Sequence, residues 1–397
     1  MPSRRRYTFF AAAVLAALVL AACRVEQVEP TSIAPVPPSE TQGLARGYQL
    51  GFSSIPAELT ESAYLDTYDL AAAYGETLLL QRPPAWGEFL PGSTVSDALR
   101  AQTLAEKRAA DERGLDLVYV LDPFDPATRS QLQGLPASHI GRTLADGDLQ
   151  QALLADALFV ARNVRPAYLV IGHEVNVVFE RSPEAYTQFV SIYSEAFDAV
   201  KEAVPETEVL TSFQYEELMG VIPWRPPHTP RWELLDDFEG RLDQFGITTY
   251  PSFAFAVARK VEPFYYEQIA DQTSLPVAFI SAGYASGVGR DGINASTPAE
   301  QRRFLQRLFN DADHLGASLL VWLISRDLSY ATDPPEDLVA TLGLQDASGA
   351  PKEAWPAWLD AGRRPYDPEE AERARFTRLE SESDDAGGPP VTETGGP

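Results

Sequence analysis

Thiol is almost absent, because Cys23 is the only cysteine in 397 residues. One thiol forms no intrachain disulfide, so the fold must hold without a covalent staple. Histidine is nearly as scarce. His139, His173, His228 and His314 are the four present, and none stands at metal-ligand spacing from another or from a carboxylate pair on one helix. No metal and no cofactor is therefore expected. Basic charge is short as well, with 32 Lys and Arg against 57 Asp and Glu and a net charge of −25. Neutralising phosphates needs clustered cations, which argues against nucleic acid as a partner and disfavours anionic polymers. The chain also lacks an apolar run of the ~20 residues that a spanning helix requires.

What the N-terminus does carry is ordered in a telling way. Met1 to Arg6 includes three arginines, Tyr7 to Leu20 is apolar, and Leu20-Ala21-Ala22 puts small residues before Cys23. This segment resembles a bacterial lipoprotein signal. The resemblance implies cleavage after residue 22 and lipidation of Cys23 with acyl chains such as palmitate. An ordinary secretory signal with a chance cysteine, or a short membrane anchor, is the alternative. Two acyl chains anchor stably where one is marginal, so the expected location is the bacterial cell envelope, extracytoplasmic and membrane-tethered. Residues 23–46 carry Pro30, Pro35, Pro37 and Pro38 and read as an extended tether. Residues 363–397 are acidic, then rich in Gly and Pro, and read as a disordered tail.

Between them, 47–362 reads as a single domain. Eight short β-rich apolar runs punctuate it, at Tyr48–Ser53, Thr77–Gln81, Leu115–Leu121, Tyr168–Gly172, Glu208–Phe213, Gln244–Thr249, Val277–Ser281 and Ser318–Ile324. Helical patterns separate them. Ser182-Pro183-Glu184 and Thr297-Pro298-Ala299-Glu300 each place a capping hydroxyl before a proline at the first helical position. Strand and helix in alternation predict a parallel sheet covered by helices. Eight units favour a closed (β/α)8 TIM barrel, with an open doubly wound sheet as the alternative.

In such a barrel, function gathers just beyond the C-terminal ends of the strands. Those positions hold Arg82 and Trp86, Asp122 and Asp125, His173, Glu174 and Asn176, Gln214, Glu216 and Glu217, Tyr250, Ser281 and Tyr284, then Trp322 and Asp327. Aromatic rings beside carboxylates and amides suit a sugar, whose C–H faces stack while its hydroxyls take hydrogen bonds. Trp86, Trp224, Trp232 and Trp322 are candidate platforms, although isolated tryptophans also serve as packing.

Val170-Ile171-Gly172-His173-Glu174-Val175-Asn176 resembles the strand-four signature of the large (β/α)8 glycoside hydrolase clan, which includes galactanase-like and cellulase-like families. Ile247 to Pro251 and Pro276 to Tyr284 resemble its sixth and seventh strands, Val321-Trp322 its eighth, and Gly343 to Trp355 its closing segment. The resemblance implies Glu174 as general acid/base, Tyr250 in contact with the nucleophile position and Trp322 as the floor of the sugar site. Placement at the strand ends makes Arg82, Trp86, Asp122, His173, Asn176, Gln214 and Tyr284 the candidate substrate contacts. Carbohydrate is the expected partner and a monomer the expected state.

Two positions depart from the pattern. Ser281 stands where the clan has its nucleophilic glutamate, and His173 where it has the Asn that holds the sugar 2-hydroxyl. Retention needs two carboxyl groups about 5–5.5 Å apart, and a serine without an adjacent base does not replace one. An inverting pair, ~6.5–9.5 Å apart, would draw its base from Asp122, Asp125, Glu216, Glu217 or Asp327. Two readings follow: a hydrolase of a neutral glycan with a non-standard second group, or an inactive carbohydrate-binding or scaffold lipoprotein that lost its nucleophile.

Overall fold

The computed structural model describes residues 43–288, 293–333 and 336–385. The leader, Cys23 and most of the tether lie outside the described residues, as does 386–397. Eight parallel staves form a ring: β1 (Gln49–Ser53), β2 (Thr77–Arg82), β3 (Asp116–Leu121), β4 (Tyr168–Ile171), β5, β6 (Phe245–Thr249), β7 (Val277–Ala282) and β8 (Leu319–Trp322). β5 is split at Thr211 into Glu208–Leu210 and Ser212–Gln214. Its first half pairs with β4 and its second with β6, while β1 pairs with β8. The expected barrel is thus the observed one, and the open-sheet alternative falls.

The strands are buried almost throughout because helices cover their outer face. Ser182 and Thr297 do accept the amide protons of Ala185 and Glu300, opening the helices Pro183–Ala203 and Pro298–Leu315. Phe52 packs with its ring centroid 4.5 Å from that of Trp358 on the helix Trp355–Gly362, which fixes β1's outward parity. Residue 51 points inward by alternation, and only glycine fits there, since a Cβ would meet Thr77 O at 2.5 Å.

The C-terminal segment differs from expectation. Pro368–Asp385 is a helix, and it lies across the N-terminal end of the barrel. Ala371 is buried against Gly47 and Gly316. Arg375 donates to the Gly316 carbonyl at 2.6 Å. The end of the expected tether is docked as well: Arg46 is buried, ion-paired with Glu76 and bridged to Tyr366. Arg364 clamps Asp313 with two contacts of 2.7 Å and donates to the carbonyls of Leu44 and Ala45. Composition alone missed this helix because its stability comes from that docking, not from an apolar stripe of its own.

At the opposite end, the segment after β8 folds over the barrel mouth. Leu323, Ile324, Leu328, Ala331 and Leu342 form a small apolar cluster with Tyr250. Ser329 ties this cover to the loop after β1 through two bonds to the Ala57 carbonyl. Lys352 holds its far end by pairing with Asp327 and donating to Ser286 at 2.7 Å.

Candidate functional site

β4 ends in two left-handed residues. Gly172 has φ 76°, and a Cβ there would strike the Phe189 ring at 2.3 Å. Glu174 has φ 51° and ψ 50°, a conformation that costs a non-glycine residue roughly 1–3 kcal/mol and clusters at functional sites. The surroundings hold it there. The Ser212 hydroxyl accepts the Glu174 amide proton at 3.0 Å and lies 2.9 Å from Nδ1 of His173.

The Glu174 carboxylate faces the mouth with 17% of its side chain exposed. Thr248 donates to Oε1 at 2.9 Å, and Arg129 donates to Oε2 at 3.1 Å. Burial by itself would raise this carboxyl. The Arg129 charge and these hydrogen bonds outweigh burial and hold it below the usual carboxylate range. At neutral pH Glu174 is therefore ionised. Burial pushes the neighbouring His173 down, so its imidazole is neutral.

Arg129 has no counterpart among the residues read from the sequence. It sits in a loop at φ 51°, where Asp125 accepts the amides of Ala127 and Thr128 and turns the chain. From there its guanidinium also reaches Asp122 Oδ2 at 2.7 Å and the His173 carbonyl at 3.1 Å. Asp122, expected to contact substrate, is fully buried in that pair. No sequence spacing marks this arginine; only barrel closure brings it to Glu174.

Ser281 reaches the same site through a β-bulge. Phe279 packs outward against Tyr266, and strict alternation would send Ser281 the same way. The register with β6 slips there, pairing Ile247 with Phe279 but Thr248 with Ser281, and such a bulge re-aims a side chain. Ser281 Oγ lies 2.7 Å from the Tyr250 hydroxyl. Glu174, Thr248, Ser281 and Tyr250 thus form one contiguous cluster.

Other expected contacts are spent elsewhere. Trp322 is fully buried, lies on the outer face against Phe304 and donates to the Leu342 carbonyl. It is not a floor for sugar; its inward neighbour Leu323 belongs to the apolar cover. Tyr284 stacks on the same Phe304 and donates to Phe255 O. Arg82 turns outward to Glu106 and Tyr64. Trp86 donates to the Gln133 carbonyl. Asn176 is bonded through both amide atoms to the backbone of Gln214. The Gln214 side chain caps the turn at Glu217 and donates to Glu216.

The remaining acids offer no free base. Glu217 pairs with Arg225 and Asp327 with Lys352. Glu216 is fully buried and accepts from Thr249 at 2.7 Å and the Tyr250 amide at 2.9 Å. Burial pushes it up to about 7. Among the described residues, no group of three His, Cys, Asp or Glu is placed to hold a metal ion.

Comparison with models of known protein families finds no match. No curated protein matches either. Solved structures do. An exo-β-1,4-mannosidase from Opitutaceae bacterium strain TAV5 is 18% identical, with TM-score 0.61 over 83% of this chain and 61% of that one. The chain thus spans less than two thirds of that mannosidase. A GH5_18 protein from Streptomyces cattleya, solved with GlcNAc, is 18% identical with TM-score 0.58, covering 85% of this chain and 92% of the other. Another GH5_18 protein, from Bifidobacterium longum subsp. longum, is 15% identical with TM-score 0.54, covering 84% and 80%. The fold is the (β/α)8 barrel that these solved structures share.

Proposed function

We propose that this protein recognises a neutral glycan at the barrel mouth without hydrolysing it by the clan's two-carboxylate mechanism. Glu174 is the observation that carries the reading. It is a carboxylate facing the mouth, it is ionised by its pairing with Arg129, and where a second carboxylate is required stands Ser281, whose hydroxyl bonds Tyr250. An ionised Glu174 has no proton to give a leaving group. It remains a strong acceptor for sugar hydroxyls. The net charge of −25 favours a neutral ligand over a polyanionic one. We place the protein on the bacterial envelope through a lipidated Cys23, which metabolic labelling with an alkyne fatty acid tests against a Cys23→Ala variant.

Hydrolysis is the second reading, favoured by the left-handed backbone of Glu174. Calorimetric titration and product analysis on the same glycan panel separate the two. Binding without turnover supports recognition. Turnover that Glu174→Gln abolishes overturns it in favour of hydrolysis.

A further inference from the structure

The loop after β5 holds a tryptophan out of the fold. Trp224 is 45% exposed, although burying an indole is among the largest apolar gains available to a side chain. Such exposure on a loose loop would be unremarked. This loop is not loose. Ile222 is buried on one side. Arg225 on the other side is ion-paired with Glu217 at 2.8 Å and with Glu180 at 3.7 Å. Pro223, Pro226 and Pro227 restrict the backbone around it. Gly220 lets the chain turn at φ 69°, pressed so closely on His228 that a Cβ would meet its carbonyl at 2.2 Å.

The exposed ring also leads somewhere. Its centroid is 5.6 Å from that of Phe253, and Phe253 is 5.4 Å from Tyr250. Tyr250 in turn bonds Ser281 beside Glu174. An aromatic run therefore descends from the rim to the polar cluster, and its lower members, Phe253 and Tyr250, pack with the apolar cover.

We infer that Trp224 is a stacking platform for a sugar residue adjacent to the one that meets Glu174, so that the site reads an oligosaccharide, not a single sugar, lying across the rim. This rests on the glycan-recognition reading and adds a second subsite to it. A ring fixed in its bound position loses little entropy on binding. An indole face takes the C–H face of a pyranoside, while the chain's net charge of −25 disfavours polyanionic glycans.

The test titrates the full chain with β-1,4-mannotetraose and cellotetraose, and with mannose and glucose, reading both heat and tryptophan fluorescence. Wild type is expected to bind a tetraose more tightly than its monosaccharide, with a change in indole emission. Trp224→Ala should weaken the tetraose by about tenfold or more and leave monosaccharide affinity and thermal midpoint unchanged. Trp224→Phe should recover part of the loss. If Trp224→Ala binds the tetraose as wild type does, the platform is overturned and the recognition reading stands. If wild type binds no sugar of the set while remaining folded, both fall together.

Discussion

Arg129 Nη2 lies 3.1 Å from Glu174 Oε2, and this contact decides what the mouth of the barrel can do. A carboxylate that shared its site with a second carboxylate would be pushed up toward a proton donor's range. Here its companion is a cation instead, and the group stays charged. The same arginine pairs with Asp122 Oδ2, so one buried side chain balances two acids.

Removing that cation should be costly. Arg129→Met leaves Asp122 buried and uncompensated, and breaking such a pair costs roughly 3–5 kcal/mol. Thermal or urea denaturation should show the loss. Adding Asp122→Asn to the same variant should restore part of it, since the stranded charge is then gone.

Two carboxyls, Glu216 fully buried and Glu174 partly so, should titrate on opposite sides of their ordinary range. Glu216 has a native value of about 7 against 4.5 for the free group. Between those values the folded chain keeps a proton that the unfolded chain has released, so this group's contribution to stability falls as pH rises through the window. Glu174 has a depressed native value. Its contribution is complete above the ordinary carboxylate range and is lost as pH falls through the native value. Carbon-13 NMR of labelled glutamate carboxyls, assigned with Glu216→Gln and Glu174→Gln, reads both; a Glu216 midpoint near 4.5 would contradict its burial.

Ser281→Glu puts a second carboxylate beside Tyr250, across Thr248 from Glu174. The two carboxyls would then compete for the Arg129 charge, and Glu174 should move up from its depressed value. The expected outcome is slow release of nitrophenol from an activated aryl β-mannoside or β-glucoside, absent in wild type and lost again when Glu174→Gln is added. Activity that survives Glu174→Gln would remove Glu174 from the chemistry.

Gly47→Ala tests the docked C-terminal helix. The new Cβ would lie 2.3 Å from the Ala371 amide nitrogen, a backbone atom that yields only if the helix shifts. Overpacking of this kind costs about 1–3 kcal/mol. Limited proteolysis should then cut within Pro368–Asp385 while the barrel resists, and glycan binding at the far end should be unchanged.

Much of the barrel was legible in the chain because each stave is a short, nearly continuous apolar run. Thr77, Tyr168, Glu208 and Val277 begin their strands where expected, and the other four begin one residue later. The Ser182 and Thr297 caps were equally readable, since capping is local chemistry. The site was legible only in part. Glu174, Ser281 and Tyr250 come together, but the direction of each rim side chain depends on parity around a closed ring. A bulge at Ile280 brings Ser281 in, whereas regular alternation leaves Trp322 and Arg82 outside. Arg129 was invisible for another reason: its role is set by a left-handed loop and by acids that lie far from it or face it only after folding.

The strap formed by Arg46, Arg364 and the helix Pro368–Asp385 has a practical corollary. Gly43 enters, and the last helix docks, at the floor of the cylinder, away from Glu174 and Trp224. A lipid, bead or fusion partner joined ahead of Gly43 therefore serves as a pedestal, raising the aromatic rim toward solution. Immobilised through that end, the protein should present its sugar-facing surface upright, with no linker optimisation needed to uncover it.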